Sequence, residues 1–494
     1  MLQPEISADD LISFIFPNAP FTSENTPMMQ DFSKPPTIAI VGGGLAGLAA
    51  GCALADSGFR ITIFERRPYL GGRASSYQHP GTGEIVDNCQ HVLLGCCTNL
   101  LNFYERTGVS GKIRWYDQLT FLEPGGRAST IRASSWPAPL HTAPSFLRAP
   151  CLGLGDKLGI ARAMLALMRS APSDDGKSFL DWLRRHGQTD LAIERFWKTV
   201  LVSALNEELD RVAVNYAAQV FRESFLKSAT AGRMGIPSVP LSELYNAAGD
   251  YIRARDGQVE LRCSVESFSS DPSSAQLMVD GQQQQFDLAL LAISFDAMNR
   301  VLPMSIEAAP LRKQLQQFES SPITGIHLWF DREISDLEHA VLLDRTIQWM
   351  FHKSRLLGRG REAGSYVELV VSSSKSLVEK SRSEITALAV KELSEFFPRA
   401  RDAKLLKSTV IKEVNATYAP KPGVDRYRAA NASPWPRVFL AGDWTATSWP
   451  ATMEGAVRSG HLAAECMARA AGHGAAKYLV PDLPPDGFMR WFGR

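Results

Sequence analysis

Glycines at fixed spacing, one carboxylate, one arginine and one imidazole carry the chemistry legible in this chain of 494 residues. The run Gly42-Gly43-Gly44-Leu45-Ala46-Gly47 is a G-x-G-x-x-G turn. In such a turn the first glycine permits the tight bend and the second lets the backbone approach a pyrophosphate. The third lets helix and strand pack closely. Leu45 and Ala46 lie within this turn, which feeds a helix whose free N-terminal N–H groups attract phosphate. Glu65 lies 18 residues past Gly47, where a carboxylate accepts hydrogen bonds from a ribose diol. His91 is the most interesting titratable group, because an imidazole exchanges protons near neutral pH. It either does so in a reaction or bonds backbone and fixes its own loop, and Asp87 carries the same two readings.

These groups need a strand, a turn, a helix and a second strand to position them. The apolar run 38–41 suits a buried parallel strand. An Ala/Leu-rich helix is expected over 48–57 and a second strand over 60–64, with Glu65 at its end. In that setting the glycines specify an adenine dinucleotide site.

The sequel narrows the cofactor. Arg66 follows the acid directly, and Gly71-Gly72-Arg73 completes the pattern E-x(5)-G-G-R-x-x-S. This resembles the second FAD motif of the amine-oxidase and phytoene-desaturase flavoproteins. The resemblance implies FAD, with Gly71 and Gly72 letting the loop run close to it and Arg73 contacting its phosphates. The segment from Asp87 to Leu100 is similar to the G-x-H-x-x-x-G-x-x-x-N stretch of plant-type carotenoid desaturases and their squalene-associated relatives, with Cys89 in place of the first glycine. There the segment runs beside the flavin, which implies that His91 lies near the reacting carbon. Residues 257–265 resemble the family's G-x-V-x-x-x-x-x-V strand, whose last valine, here Val265, contacts adenine through its backbone. Gly442-Asp443 closes a strand over 438–442, and the family's aspartate bonds the ribityl chain. The run 449–460 is similar to the flavin-binding P-x-x-M-E-G-A-x-x-S-G, bringing Ala451, Thr452 and Met453 to the cofactor. A helix beginning near Thr452 aims its positive end at the flavin pyrimidine, stabilising negative charge on reduction.

The composition excludes several classes. Lys+Arg is 53 against Asp+Glu 52, so no basic excess points to nucleic acid. No apolar run approaches the roughly 20 residues of a spanning helix. Seven cysteines without C-x-x-C argue for reduced thiols in a cytoplasmic protein, and no metal site is expected. Residues 1–33 hold five acids and no Lys or Arg, unlike a signal or transit peptide. A mobile extension is expected there, with one amphipathic turn over 9–16 as the alternative.

The expected fold is α/β: a Rossmann-type FAD-binding domain from 36–97, 239–302 and 430–472, with a discontinuous α+β substrate domain. That domain takes 98–238, with a helical lid, and 303–429; 1–35 is an extension and 473–494 a tail. Helices are expected over 155–168, 178–186, 191–205, 215–226 and 383–396. Strands over 324–330 and 346–351 offer Trp329, Trp349 and Phe351 to a pocket or to core. Peripheral contact with the inner face of a membrane is an expectation for the first lid helix and the aromatic, arginine-bearing tail.

Within the superfamily the chain resembles the squalene-associated group, the hydroxysqualene dehydroxylases of hopanoid pathways. The residues are Asn88-x-Gln90-His91-Val92-Leu93-Leu94-Gly95, the run 237–245, Gln348-Trp349-Met350-Phe351 and Gly442-Asp443-Trp444-Thr445-Ala446-Thr447. That resemblance implies hydroxysqualene as the long-chain polyisoprenoid substrate, squalene as product, NADPH as reductant and squalene-pathway enzymes as neighbours. His91, or a water it orients, is the expected acid, with Asp87 in reserve. A carotenoid desaturase, an amine oxidase and a flavin-bound scaffold without turnover are the alternatives.

Overall fold

Five short apolar runs, widely separated in the chain, assemble one parallel sheet. The computed structural model describes residues 35–79, 83–170, 172–359, 364–474 and 476–492. The expected extension and turn of helix before residue 34, the turn at 80–82 and the last two residues lie outside them. The strands are β1 (Thr37–Val41), β2 (Arg60–Glu65), β3 (Gln258–Leu261), β4 (Leu288–Leu291) and β5 (Val438–Leu440), in the spatial order β3-β2-β1-β4-β5. Ile40 pairs with Ile63 on one side and Leu290 on the other. Alternation along β1 explains why the strand is apolar throughout. Ile38 and Ile40 pack on the helices Leu45–Asp56, Leu241–Arg253 and Met453–Ala470, while Ala39 and Val41 face a second layer that includes Phe268 and Leu277. A sheet covered on both faces leaves no room for polar alternation.

That second layer corrects one expectation. The strand anticipated over 257–265 is two strands, because Arg262 takes φ +60° and turns the chain out of the parallel sheet. Val265–Ser270 then pairs antiparallel with Ala275–Val279, which pairs with Gln282–Phe286 across the Asp280-Gly281 turn. Both turn residues have positive φ, as a two-residue hairpin loop requires.

The second half of the molecule is a seven-stranded sheet in the order 405–418, 320–330, 365–372, 349–351, 339–342, 118–122 and 128–132. One face is covered by the helix Arg382–Phe396, started by a reciprocal Ser381/Glu384 cap. Val367, Leu369 and Val371 point to that helix side. Val370 belongs to the opposite layer with Cys89, Met234 and Phe351, so Glu368, two residues away, shares that inner face.

Helices over 154–226 close this side. The expected helix 191–205 is interrupted by a π-helical segment at Ile193–Lys198, and that at 215–226 ends in another at Arg222–Leu226. The helix Thr98–Arg106, in the stretch assigned from sequence to the substrate domain, packs against Met453–Ala470: its Leu100, Phe103 and Tyr104 sit in the core beneath the parallel sheet. Glu454 ties the two helices, accepting the Leu100 N–H at 2.8 Å and the Asn99 amide groups at 3.1 and 3.2 Å. The tail is packed as well: Val480 exchanges hydrogen bonds with Asn99, and Arg458 pairs with Asp482 at 2.6 Å.

Candidate active site

A cavity of about 790 Å³ runs from the carboxyl ends of β1 and β2 to the inner face of the large sheet. Of the cofactor-binding and catalytic residues predicted from sequence, all but Gly47 and Asp87 line it.

The phosphate turn forms as its residue types demand. Gly42 has φ +111°, and a Cβ there would lie 2.5 Å from the Ala292 carbonyl oxygen. A Cβ on Gly47 would lie 2.0 Å from the Gly42 carbonyl oxygen, so its place is behind the turn, packing helix on strand. Gly44 is the helix N-cap and offers no side chain, leaving the first N–H groups of Leu45–Asp56 for a ligand. Glu65 is buried and already oriented: Oε2 accepts the Gly43 N–H and Oε1 the Arg67 N–H, both at 2.8 Å. Each oxygen keeps a lone pair for a ribose hydroxyl. The second glycine loop lies on the first, with the Gly71 N–H donating to the Gly43 carbonyl at 2.8 Å. Arg66 and Val265 line the same end, with Arg67, Ser264, Glu266 and Arg300, which sequence reasoning missed.

At the other end, Arg73 Nη2 pairs with Asp443 Oδ1 at 2.8 Å and Nη1 donates to the Ala416 carbonyl at 2.8 Å. This bridge joins the GGR loop, β5's exit and the large sheet. The Gly442 N–H is held by Ser459 Oγ at 2.9 Å. Thr452 caps the helix Met453–Ala470 by accepting the Gly455 N–H at 3.1 Å, which leaves the first N–H groups of that helix facing the cavity beside Ala451 and Met453. Two helix N-termini, a glycine cradle and an acid able to accept from a ribose therefore converge on one chamber, and they fit FAD.

Beyond this end the lining turns apolar: Leu119, Phe121, Val200, Ala204, Val220 and Phe225, closed by Trp349 and Phe351 stacked 5.5 Å apart. Trp349 Nε1 donates to Ser203 Oγ at 2.8 Å, tying sheet to lid. Trp329 is elsewhere, stacked on Tyr366 beneath Lys407.

His91 stands where the two halves meet. Its Nδ1 is 2.7 Å from the Cys89 carbonyl oxygen. A carbonyl only accepts, so Nδ1 carries the hydrogen and Nε2 is left to exchange a proton. Burial lowers its pKa below the ordinary histidine value, more than the Cys89 contact raises it.

Asp87, the residue held in reserve, does not reach the chamber. Its carboxylate takes Lys353 Nζ at 2.7 Å, Ser76 Oγ at 2.7 Å and the Leu241 N–H at 3.1 Å. Burial alone would raise its pKa; these three donors outweigh it and hold the group ionised. Lys353 also donates to Gln90 Oε1 at 2.8 Å and lies 3.7 Å from Glu368. Gln90 Nε2 in turn donates to the His91 carbonyl at 3.1 Å, so the buried lysine steadies the loop that presents His91. Burial pushes Glu368 up to about 8, with the Asp87 charge adding and Lys353 opposing. Sequence reasoning missed Lys353 and Glu368. The available signal was a lone charge within the strand-like apolar run Tyr366-Val367-Glu368-Leu369-Val370.

Comparison with known proteins agrees with this architecture. The family model for flavin containing amine oxidoreductases matches residues 45–468. A 15-cis-phytoene desaturase of Synechococcus elongatus is 28% identical over 87% of this chain and 95% of its own length. A probable zeta-carotene desaturase of the same organism is 25% identical over 88% and 98%. Among solved structures, an oxidoreductase from Methanosarcina mazei superposes with TM-score 0.67 at 18% identity, covering 86% of this chain and 98% of its own. Putrescine oxidase bound to putrescine gives 0.65 at 15%, covering 89% and 99%. At these identities the structural likenesses speak to fold, while the family match spans nearly the whole chain. With the FAD-shaped chamber they place this chain in the flavin containing amine oxidoreductase family, as an FAD-dependent oxidoreductase.

Proposed function

We propose that this enzyme reductively removes the allylic hydroxyl of hydroxysqualene to give squalene. The observation that carries the reading is the join in the chamber: an apolar half suited to a polyisoprenoid meets the cofactor half at His91. Replacing C–OH by C–H adds one hydride and one proton and releases water. Bound FAD supplies hydride exchange with a carbon held against it. The chain's own residues do the rest. Trp349, Phe351 and the lid residues hold the hydrocarbon and exclude the water that would recapture an allylic cation. Aromatic faces stabilise such a cation by about 2 kcal/mol or more when desolvated. His91 Nε2, as imidazolium, protonates the departing hydroxyl. NADPH is the proposed reductant. It reaches the flavin through the same chamber or acts through a separate reductase, because the described residues form a single parallel dinucleotide-binding sheet.

A carotenoid desaturase is the second reading, favoured by the desaturase relatives and by the depressed pKa of His91, whose neutral Nε2 accepts a proton. The two readings differ in proton direction. For dehydroxylation the rate rises as pH falls towards the depressed His91 pKa; for desaturation it falls. Anaerobic mixing of the reduced enzyme with hydroxysqualene tests the proposal directly. Flavin reoxidation with squalene formation supports it; no squalene, together with dehydrogenation of phytoene by the oxidised enzyme, overturns it.

A further inference from the structure

One face outside the chamber exposes more large apolar side chains than a water-facing surface ordinarily carries in one place. On the helix Leu154–Arg169, Leu154 and Leu158 are 69% and 57% exposed and one turn apart. Leu147, 58% exposed, belongs to the short helix packed beside it, where Lys157 Nζ donates to the Leu147 carbonyl at 2.8 Å. Trp136 is 52% exposed, on the loop that also carries Ala138. The C-terminal turn is fastened there, its Phe488 N–H donating to the Ala138 carbonyl at 2.8 Å, and it holds Trp491 with 77% of its surface free.

Three arginines around these groups are without partners. Arg132, Arg148 and Arg162 are exposed, and among the described residues none has an ion pair or a side-chain hydrogen bond. Arg132 and Arg148 line a shallow pocket with Ser129, Thr130 and Ser145, and no carboxylate is among its lining residues. Of the acids on the adjoining segments, Asp156 bonds the Gly153 N–H and Thr189 and Asp486 bonds Gly487 and Arg490, while Asp190, on the short helix packed against the leucine helix, is exposed. The Ser145 hydroxyl is bonded to the Arg132 and Thr142 carbonyls and Ser129 to the Cys151 N–H, so the two guanidinium groups are the pocket's free charged donors for a phosphate. Exposed leucines and tryptophans flanked by unpaired arginines match the acyl and headgroup layers of an anionic bilayer.

We propose that this face docks the enzyme on an anionic phospholipid membrane, with Leu147, Leu154, Leu158, Trp136 and Trp491 entering the interface and the Arg132–Arg148 pocket receiving a lipid phosphate. The leucine helix packs inwardly on the helical segments 214–226, whose Val220 and Phe225 line the apolar chamber. The docked face is thus one helix layer away from the hydrocarbon site. The inference stands on the surface itself and holds whichever polyisoprenoid is turned over.

The test is co-sedimentation of the holoenzyme with phosphatidylcholine vesicles containing or lacking phosphatidylglycerol, read by flavin absorbance in the pellet. Salt-sensitive binding to the anionic vesicles is expected. Arg132→Gln with Arg148→Gln removes roughly 30-fold of it, about fivefold per arginine at an anionic surface. Leu154→Ser with Leu158→Ser weakens binding to both vesicle types by about tenfold or more. All four side chains are exposed, so the flavin spectrum and turnover of detergent-dispersed substrate remain as in wild type. Trp491→Ser, at the chain end, supplies an independent variant with the same expected direction. Absence of binding to anionic vesicles overturns the proposal, as does full binding by the leucine pair. It is overturned equally if the leucine pair converts a dimer to a monomer while vesicle binding persists, since the face would then belong to a second copy of the chain.

Discussion

Replacing Glu368 by glutamine should increase stability, and by more in mild base than in mild acid. Glu368 is fully buried on the inner face of the large sheet, and neither carboxylate oxygen has a hydrogen-bond partner. Lys353 is 3.7 Å away but gives its short bonds to Asp87 and Gln90. Burial therefore raises the pKa of Glu368 from 4.5 to about 8, and the group is a neutral acid in the folded protein at neutral pH. An acid raised on folding contributes stability that is fully present below its unfolded pKa and is lost as pH rises through its folded one. Integrated from about pH 6 to about pH 8 at roughly 1.4 kcal/mol per unit, the wild-type loss from this one group is about 2 kcal/mol. Glutamine has nearly the shape of the protonated acid and no titration, so Glu368→Gln should lack that slope. Denaturant midpoints of the FAD-loaded protein at the two pH values measure it, and the difference between the two proteins cancels every other titrating group. Parallel curves would refute the reasoning. Lys353→Met is the opposing control: it strands the Asp87 charge, costing about 3–5 kcal/mol, and Asp87→Asn on that background should restore part of the loss.

Gly47→Ala should give protein lacking flavin, because its Cβ meets the Gly42 carbonyl oxygen at 2.0 Å; flavin absorbance after purification reads the result. Glu65→Gln should weaken FAD binding by about tenfold or more through loss of a charged acceptor, as measured by equilibrium titration of the apoprotein. Thr452→Ala removes the cap that accepts the Gly455 N–H and should cost about 1 kcal/mol of stability, together with a lower flavin reduction potential as the helix end frays. His91→Asn should abolish the pH dependence assigned to Nε2 in the turnover profile; an unaltered profile assigns proton transfer to another group.

The cofactor half of the chamber was legible because its requirements are local. A tight turn with φ +111° at Gly42, a helix start without side chains and an acid at a strand end are consecutive or nearly so in the chain. Each imposes its own residue type, and the later motif at Gly442 to Met453 is as recognisable. The break at Arg262 was hidden because the residues on both sides of it suit strands; only pairing with two different sheets separates them. The π-helical segments at 193–198 and 222–226 were hidden similarly, since one extra residue in a helix barely disturbs an apolar pattern.

The fate of Asp87 and His91 separates sequence from fold most sharply. Four residues apart and both able to move protons, they were equivalent as letters. Lys353, 266 positions away from Asp87, is brought to 2.7 Å by the large sheet and fixes that carboxylate as a buried anion, while His91 is left at the chamber wall with one nitrogen free. The sequence by itself determined the cofactor, because glycine geometry and helix-end electrostatics act over a few residues. Which titratable groups reach the chamber, and with what charge, was decided by burial and by partners supplied from distant strands, which no local spacing encodes.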